Sequence, residues 1–267
     1  MTDNRPSSPF RDLHNRASAF IIPNPWDAGS AKILAALGFE ALATTSGGFA
    51  HSLARKDGAV TPAEVLAHCR TIVVATPLPV SADLEKGFGD TPESAADTIR
   101  QAAATGLAGA SIEDFSGDPA KPLYDFNLAV ERIAAAVEAA RGLDRDFVLT
   151  ARAENFLRGN PDLDDTIKRL QAFEAAGADV LYAPLLRTID QIRAVCSAVS
   201  KPINVLAGAS ATLAELEAAG VKRISVGTGL SRLAYGSVIE AAKEMREKGT
   251  FTFARKAANT AEIEGYF

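Results

Sequence analysis

Eight short apolar runs, separated by amphipathic stretches, constrain this chain more than any other feature. They are "AFIIPNP" (19–25), "ALATTS" (41–46), "PVSADLE" (79–85), "GASIEDF" (109–115), "FVLTARAE" (147–154), "ADVLYAP" (178–184), "PINVLAG" (202–208) and "RISVGTG" (223–229). Runs of this length read as strands buried on both faces, and strands alternating with helices lie parallel in one sheet. The stretches between them carry helix signals. "TPAEVLAHCRTIVVAT" opens with a Thr cap, a Pro and an early Glu, and "TPESAADTIRQAAATG" repeats that opening and stops at a Gly. "DLDDTIKRLQAFEAAG" has acids in its first turn and a Gly at its end. Eight such units in about 250 residues predict an α/β fold, a (β/α)8 TIM barrel. An open doubly wound sheet is the structural alternative.

On this reading residues 1–267 form one barrel domain with two terminal additions. An N-terminal helix over 8–18 carries Phe10 and Leu13, on a stripe with Phe20, and plugs the barrel floor. A tail over 250–267 carries Phe251, Phe253 and Phe267, and its aromatic content predicts contacts within an oligomer. The composition, 47% hydrophobic and 23% charged, suits a soluble globular chain with a sizeable core. A net charge of -5 without a basic cluster argues against nucleic acid as a partner. The first twenty residues lack the basic-then-apolar order of a signal peptide, and no apolar run approaches a membrane span. Cys69 and Cys196 lie far apart in helical patterns, which excludes a disulfide framework and places the chain in the cytoplasm.

Two strand-to-helix connections exceed the usual two to six residues. One is "GGFAHSLARKDGAV" after Ser46; the other is "DFSGDPAKPLYD" after Glu113. Both leave the C-terminal ends of strands, the face that carries active sites in such barrels, and extra chain there builds a lid. The polar residues of interest converge on the same face. Asp83 and Glu85 close the third run two positions apart, so the strand period points them one way together with Ser81. Glu113 ends the fourth run and Arg152 the fifth; Asp57 lies in the long loop that Ser46-Gly47-Gly48 begins. Crowded carboxylates repel one another, and a hard divalent cation such as Mg2+ resolves the conflict with oxygen ligands and retained waters. Arg152 offers a planar fork to a substrate carboxylate or phosphonate, and the Ser-Gly-Gly backbone offers N–H donors to an oxyanion.

Other residues suggest less. His14 and His68 sit in helices and read as structural, whereas His51 lies in the long loop and can approach substrate. Lys56, Lys86 and Lys121 raise a Schiff-base aldolase, but none is centred in a strand. The glycine turns "AGAS" (207–210) and "GTG" (227–229) raise a sugar-phosphate aldolase or isomerase, since phosphate sites form there in these barrels. A barrel that only binds its ligand is the remaining alternative.

The segments "NPWDAGSAKILAALGFEALATTSGG" (24–48), "KDG" (56–58), "PVSADLEKGFG" (79–89), "SIED" (111–114) and "LTAR" (149–152), in this order, resemble the isocitrate lyase/phosphoenolpyruvate mutase superfamily. The resemblance runs from about Ile21 to Gly249. It implies Mg2+, or Mn2+, ligated by Asp83 with Glu85 and Glu113 acting directly or through water, and Asp57 holding the metal's waters. It implies a substrate carboxylate or enolate oxygen at Ser46, Gly47 and Gly48, the far end of the substrate at Arg152, and Asn204 in the substrate-binding set. Arg152, Glu113, Asp57 and Lys121 form the catalytic set, with Lys121 matching the lid lysine of mutase-like members. The implied reaction is lyase or phosphonomutase chemistry on a small 2-oxo or 2-hydroxy acid, dicarboxylate or phosphonate. It breaks or rearranges a C–C or P–C bond through an enolate-type intermediate. Strict phosphoenolpyruvate or carboxyphosphonoenolpyruvate phosphonomutase activity is the narrower alternative. The implied assembly is a homodimer or homotetramer with a swapped C-terminal helix.

The chain also departs from the family pattern. The loop after strand four, "SGDPAKPLYDF", has neither the Cys nor the His of the lyase lid, and Pro122 follows Lys121 where an Asn is typical. Thr44 and Thr45 replace an aromatic residue before the Ser-Gly turn, Glu85 stands where Asp is usual, and "NVLAG" lacks the acid that follows this Asn in many lyases. What these residues retain is a metal–enolate platform under a different lid.

Overall fold

Eight parallel strands form one sheet in the order β1-β8-β7-β6-β5-β4-β3-β2, which curls into a nearly closed barrel. They are β1 (Phe20–Ile22), β2 (Leu42–Ala43), β3 (Val80–Asp83), β4 (Gly109–Glu113), β5 (Val148–Arg152), β6 (Val180–Tyr182), β7 (Ile203–Leu206) and β8 (Arg223–Ser225). The structure is a computed structural model that describes residues 7–209 and 211–267; residues 1–6 and Ser210, the end of the "AGAS" turn, lie outside it. At the β1–β2 seam one backbone bond remains, from Ala43 N–H to the Pro23 carbonyl at 3.0 Å. Asn24 strengthens it. Its Nδ2 donates to the Thr44 carbonyl at 3.1 Å, and its Oδ1 accepts from Val226 and Gly227 N–H at 2.9 and 2.8 Å.

The helices begin where their cap residues direct. Thr61 closes a capping box with Glu64 ahead of Pro62–Ala75, Thr91 caps Pro92–Ala103, and Asp162 caps Leu163–Ala175. The segment after Ser46 differs from its reading as a loop: Thr45 caps a seven-residue helix, Ser46–Ser52, by accepting from Gly48 N–H. Gly48 also has the methyl of Thr45 and the Trp26 side chain closely against it, so this helix starts where a larger residue would clash.

The N-terminal helix is shorter than expected, Pro9–Asn15, and it seals the floor. Phe10 enters the barrel beside Phe20, Ile22, Val148 and Val180. Gly109 makes room, because a Cβ there would collide with the Val148 carbonyl and crowd the Phe10 ring. Arg11 fastens the helix from outside with ion pairs to Asp146 (2.7 Å) and Asp179 (2.8 Å).

The long last helix, Gly229–Lys248, behaves differently from the others. It buries only Ser231, while Leu233 (68% exposed) and Val238 (64%) face outward. The tail follows as a 3-10 turn, Thr252–Arg255, and a short helix, Thr260–Glu264. Phe253 is half-buried, Phe251 is exposed, and the Phe267 carbonyl accepts from Lys32 Nζ at 3.3 Å. Among the described residues no helix is long and apolar enough to cross a membrane.

The floor plug yields a direct expectation. Phe10→Ala empties a buried aromatic site on the barrel floor and lowers unfolding free energy by about 3–5 kcal/mol in chemical denaturation. Arg16→Ala, at the half-buried end of the same segment, loses an ion pair with Glu40 and a contact over the Phe20 ring and changes stability by about 1 kcal/mol.

Candidate active site

Arg152 ends β5 with its guanidinium sunk among three carboxylates. Its NH1 lies 2.8 Å from Asp83, and its NH2 lies 2.9 Å from Glu113 and 2.8 Å from Glu154. Its own burial opposes the charge, but Glu113, Glu154 and Asp83 outweigh that and hold Arg152 firmly protonated. Arg158, in the loop beyond β5, binds the outer oxygens of Glu113 (3.1 Å) and Glu154 (3.1 Å) and lies 3.5 Å over the Phe115 ring. Burial raises the Glu113 carboxyl well above its ordinary range, against the pull of both arginines. Asp114 faces the other way. It accepts from Glu154 N–H (2.8 Å) and pairs with Arg169 (3.0 Å), which ties β4 to the β5 loop and the following helix.

Asp83 joins this cluster to the next. One oxygen takes Arg152 and the other accepts Ser46 N–H at 3.2 Å, so the first helical amide after β2 is aimed at a carboxylate of β3. Glu85 reaches the site by a different route from the strand period. β3 stops at Asp83, and Glu85 adopts a left-handed backbone with φ 49°. Phe88 and Gly87 are also left-handed, a conformation that costs non-glycine residues energy unless neighbours impose it. They do so here. Buried Arg132 donates to the carbonyls of Lys86 and Thr91, and Thr98 Oγ1 donates to the Gly87 carbonyl at 2.7 Å. The turn leaves the Glu85 carboxylate with no hydrogen bond or ion pair among the described residues. Burial, then the charges of Asp83 and Asp57, push it up to about 7.

These groups border a cavity of about 220 Å³, smaller than the roughly 300–1,000 Å³ of drug-sized ligand sites. Of the residues expected here, Ser46, Asp57, Asp83, Arg152 and Asn204 line it. Glu113 stands behind Arg152, and Glu85 lies by the Asp57-Gly58 turn. Gly47 fits between Asp57 and Thr228 with no room for a side chain. Lys121 is placed elsewhere: it pairs with Asp125 at 2.7 Å and is exposed. His51 is also outside, edge-on to Tyr235, and His68 stacks on Phe49 as a structural group. The amides of Val226 and Gly227 in the "GTG" region are taken by Asn24, which removes donors that a phosphate site would use.

Among the described residues no three Asp, Glu, His or Cys side chains form a ready-made metal cage. The donor chemistry nevertheless suits a hard, water-rich cation. Asp83, Glu85 and Asp57 supply oxygen alone, the charges of Asp83 and Asp57 add to the rise of the Glu85 carboxyl, and no cation among the described residues pairs with Glu85 directly. Four members of the cluster gave weak sequence signals. Glu154 repeats the two-residue period from Arg152; Arg158 lies in an irregular loop; Tyr182 and Arg223 sit inside otherwise apolar strands.

Comparison with known proteins identifies the class. A family model described as phosphoenolpyruvate phosphomutase matches residues 10–246. The chain is 31% identical over 211 residues to 2-methylisocitrate lyase of Escherichia coli, covering 76% of this chain and 70% of that one. A solved structure from Burkholderia cenocepacia, described only as a candidate lyase/mutase, is 54% identical with TM-score 0.94, covering 97% of this chain and 94% of the other. Phosphonopyruvate hydrolase, solved with oxalate and Mg2+, is 26% identical with TM-score 0.84 over 99% of this chain and 95% of its own. The chain is thus an enzyme of the phosphoenolpyruvate mutase/isocitrate lyase superfamily. Within it, the chain belongs to the phosphoenolpyruvate phosphomutase family.

The raised Glu85 carboxyl gives a pH signature. A carboxyl whose folded pKa lies above its unfolded value binds its proton preferentially in the native state. Stability therefore falls as pH climbs from the ordinary 4.5 toward about 7. The Tm of Glu85→Gln is expected to gain on wild type between about pH 5 and pH 7.5. Differential scanning fluorimetry reads the effect.

Proposed function

We propose that this enzyme is Mg2+-dependent, with Mn2+ as the alternative ion, and cleaves or rearranges a C–C or P–C bond beside the oxo group of a small 2-oxo or 2-hydroxy acid. The observation that carries the reading is Asp83 and Asp57 on the wall of a small cavity with Arg152, and Glu85 beside the Asp57-Gly58 turn. The oxalate and Mg2+ bound by phosphonopyruvate hydrolase, and the lyase activity named for the Escherichia coli relative, support it. Asp83 and Glu85 would hold the metal, with Asp57 beside them and Glu113 acting from behind through Arg152. A cation held there would supply Lewis-acid stabilisation of negative charge on the substrate's oxo and carboxylate oxygens.

The chain's own residues do the rest. Ser46 presents its hydroxyl to the substrate's anionic end, while its N–H is held by Asp83. Arg152 is kept charged and fixed by Glu113 and Glu154, so it presents a set geometry with little rotamer freedom to lose. The Tyr182 phenol, pushed up to about 12 by burial, stays protonated and faces the anion as a neutral hydrogen-bond donor. Lys121 belongs to the loop over the mouth, whose Phe115 and Leu123 pair as an antiparallel bridge. We place the enzyme in the cytoplasm, where its two free thiols stay reduced.

Two experiments test these points. Purified enzyme with Mg2+ and a panel of 2-oxo acids, malate derivatives and phosphonopyruvate should release pyruvate or glyoxylate. Asp83→Ala should abolish that turnover with an unchanged circular dichroism spectrum, and unaltered activity in the variant refutes the assignment. The outward apolar face of Gly229–Lys248 leads us to propose a homodimer or homotetramer. Light scattering should give at least twice the chain mass, and Val238→Glu with Ile239→Glu should shift it to one chain.

A further inference from the structure

Arg223, the first residue of β8, is buried (5% exposed) yet has no acidic partner among the described residues. Nε donates to Asn204 Oδ1 at 2.9 Å, NH2 to Thr150 Oγ1 at 2.9 Å, and NH1 meets His14 Nε2 at 3.4 Å. His14 is neutral, because burial first and the Arg223 charge second lower it to about 3. Its Nδ1 donates to the Phe10 carbonyl at 2.8 Å, so Nε2 is the acceptor that Arg223 uses. The other buried arginines differ. Arg152 and Arg169 each bind at least two carboxylates, and Arg132 binds backbone carbonyls over the Tyr124 ring. Burial lowers Arg223 only to about 10, so it carries its charge at neutral pH.

A buried charge without a counter-charge costs several kcal/mol, and three neutral acceptors offset only part of that. A guanidinium has five N–H donors, and the protein takes three of Arg223's. The residue also lines the cavity bordered by Asp83 and Arg152. Its position follows from strand register. Glu113, Arg152, Tyr182, Asn204, Arg223 and Phe20 are successive partners across β4, β5, β6, β7, β8 and β1. This row descends from the mouth to the floor, and Arg223 is its deepest charge.

We propose that Arg223 receives a second anionic group of the substrate, a carboxylate or phosphono group at the end away from the metal. The inference rests on the reading of the metal end given above and narrows it: the substrate is a two-ended acid. Asn204, whose Nδ2 donates to Ser225 Oγ at 3.0 Å, positions Arg223 from the side. A charge-assisted hydrogen bond of this kind is worth about 10- to 100-fold in affinity.

The test compares binding by calorimetry, in Mg2+, of malate, 2-hydroxy-3-phosphonopropanoate and 2-hydroxybutyrate, in which a methyl replaces the distal acid. Wild type should prefer at least one two-ended acid by tenfold or more, and the better of the two identifies the distal group. Arg223→Gln should erase the preference while 2-hydroxybutyrate binding changes less than about twofold. Arg223→Lys, which keeps the charge, should retain part of it. Equal wild-type affinities, no binding of either two-ended acid at millimolar concentration, or an intact preference in folded Arg223→Gln each overturn the proposal. Repeating the series in EDTA separates the two readings. A preference that persists with affinities unchanged by metal removal sinks the Mg2+ assignment and leaves Arg223 standing.

Discussion

A single guanidinium among three carboxylates, Arg152 with Asp83, Glu113 and Glu154, fixes the geometry of the barrel mouth. None of these groups would be tolerated at that depth alone, since an uncompensated charge in a protein interior is costly. Together they couple the ends of β3, β4 and β5, and Arg158 and Arg169 extend the network to the loops and the helix beyond. The arrangement leaves negative charge in excess on the Asp57 side and positive charge in excess on the floor. The cavity therefore has two unlike ends within one small volume. A ligand with a chelating head and an acidic tail matches that polarity, whereas a uniformly charged or apolar one does not.

Much of this was legible in the sequence because period and capping are local rules. The eight runs, the caps at Thr61 and Thr91, and the mouth positions of Asp83 and Arg152 follow from spacing alone. The strand period puts Glu85 near Asp83 for an incomplete reason. A two-residue period holds only while the strand lasts, and β3 ends at Asp83; the left-handed turn supported by Arg132 brings the second acid round. Ser46–Ser52 escaped detection because its glycines argue against a helix, and their real role is to let Thr228, Asp57 and Trp26 come close.

Partner choice was the part least legible. Arg158 and Glu154 are two of many charged residues until the fold shows that they share Glu113 and Arg152. Arg223 opens an apolar strand as any edge-of-core residue might do from a surface position, and only the register shows it beneath Asn204 beside Phe20. Lys121 shows the converse. Its place in the sequence suggests the lid of a reacting site, while its side chain holds Asp125 outside the cavity. Sequence spacing finds groups that belong to one element well; it does not say which of them face each other across a barrel.

The loop after β4 closes mainly upon itself. Phe115 bridges Leu123, Ser116 N–H donates to the Pro122 carbonyl at 2.8 Å, and Ser116 Oγ donates to the Lys121 carbonyl at 2.6 Å. Its tip is attached to the barrel chiefly through Lys86 Nζ to the Ser116 carbonyl, while its ends are fastened by Asp114 to Arg169 and by buried Tyr124 to Asp90 and Arg132. The tip of such a flap is modular: its sequence can drift without disturbing the charged platform below, because little of its stability is borrowed from it. One scaffold can then exchange proton-donating residues over a constant anion-binding floor. Diversity of bonds broken on this barrel would accumulate in the flap first, and in the strands last.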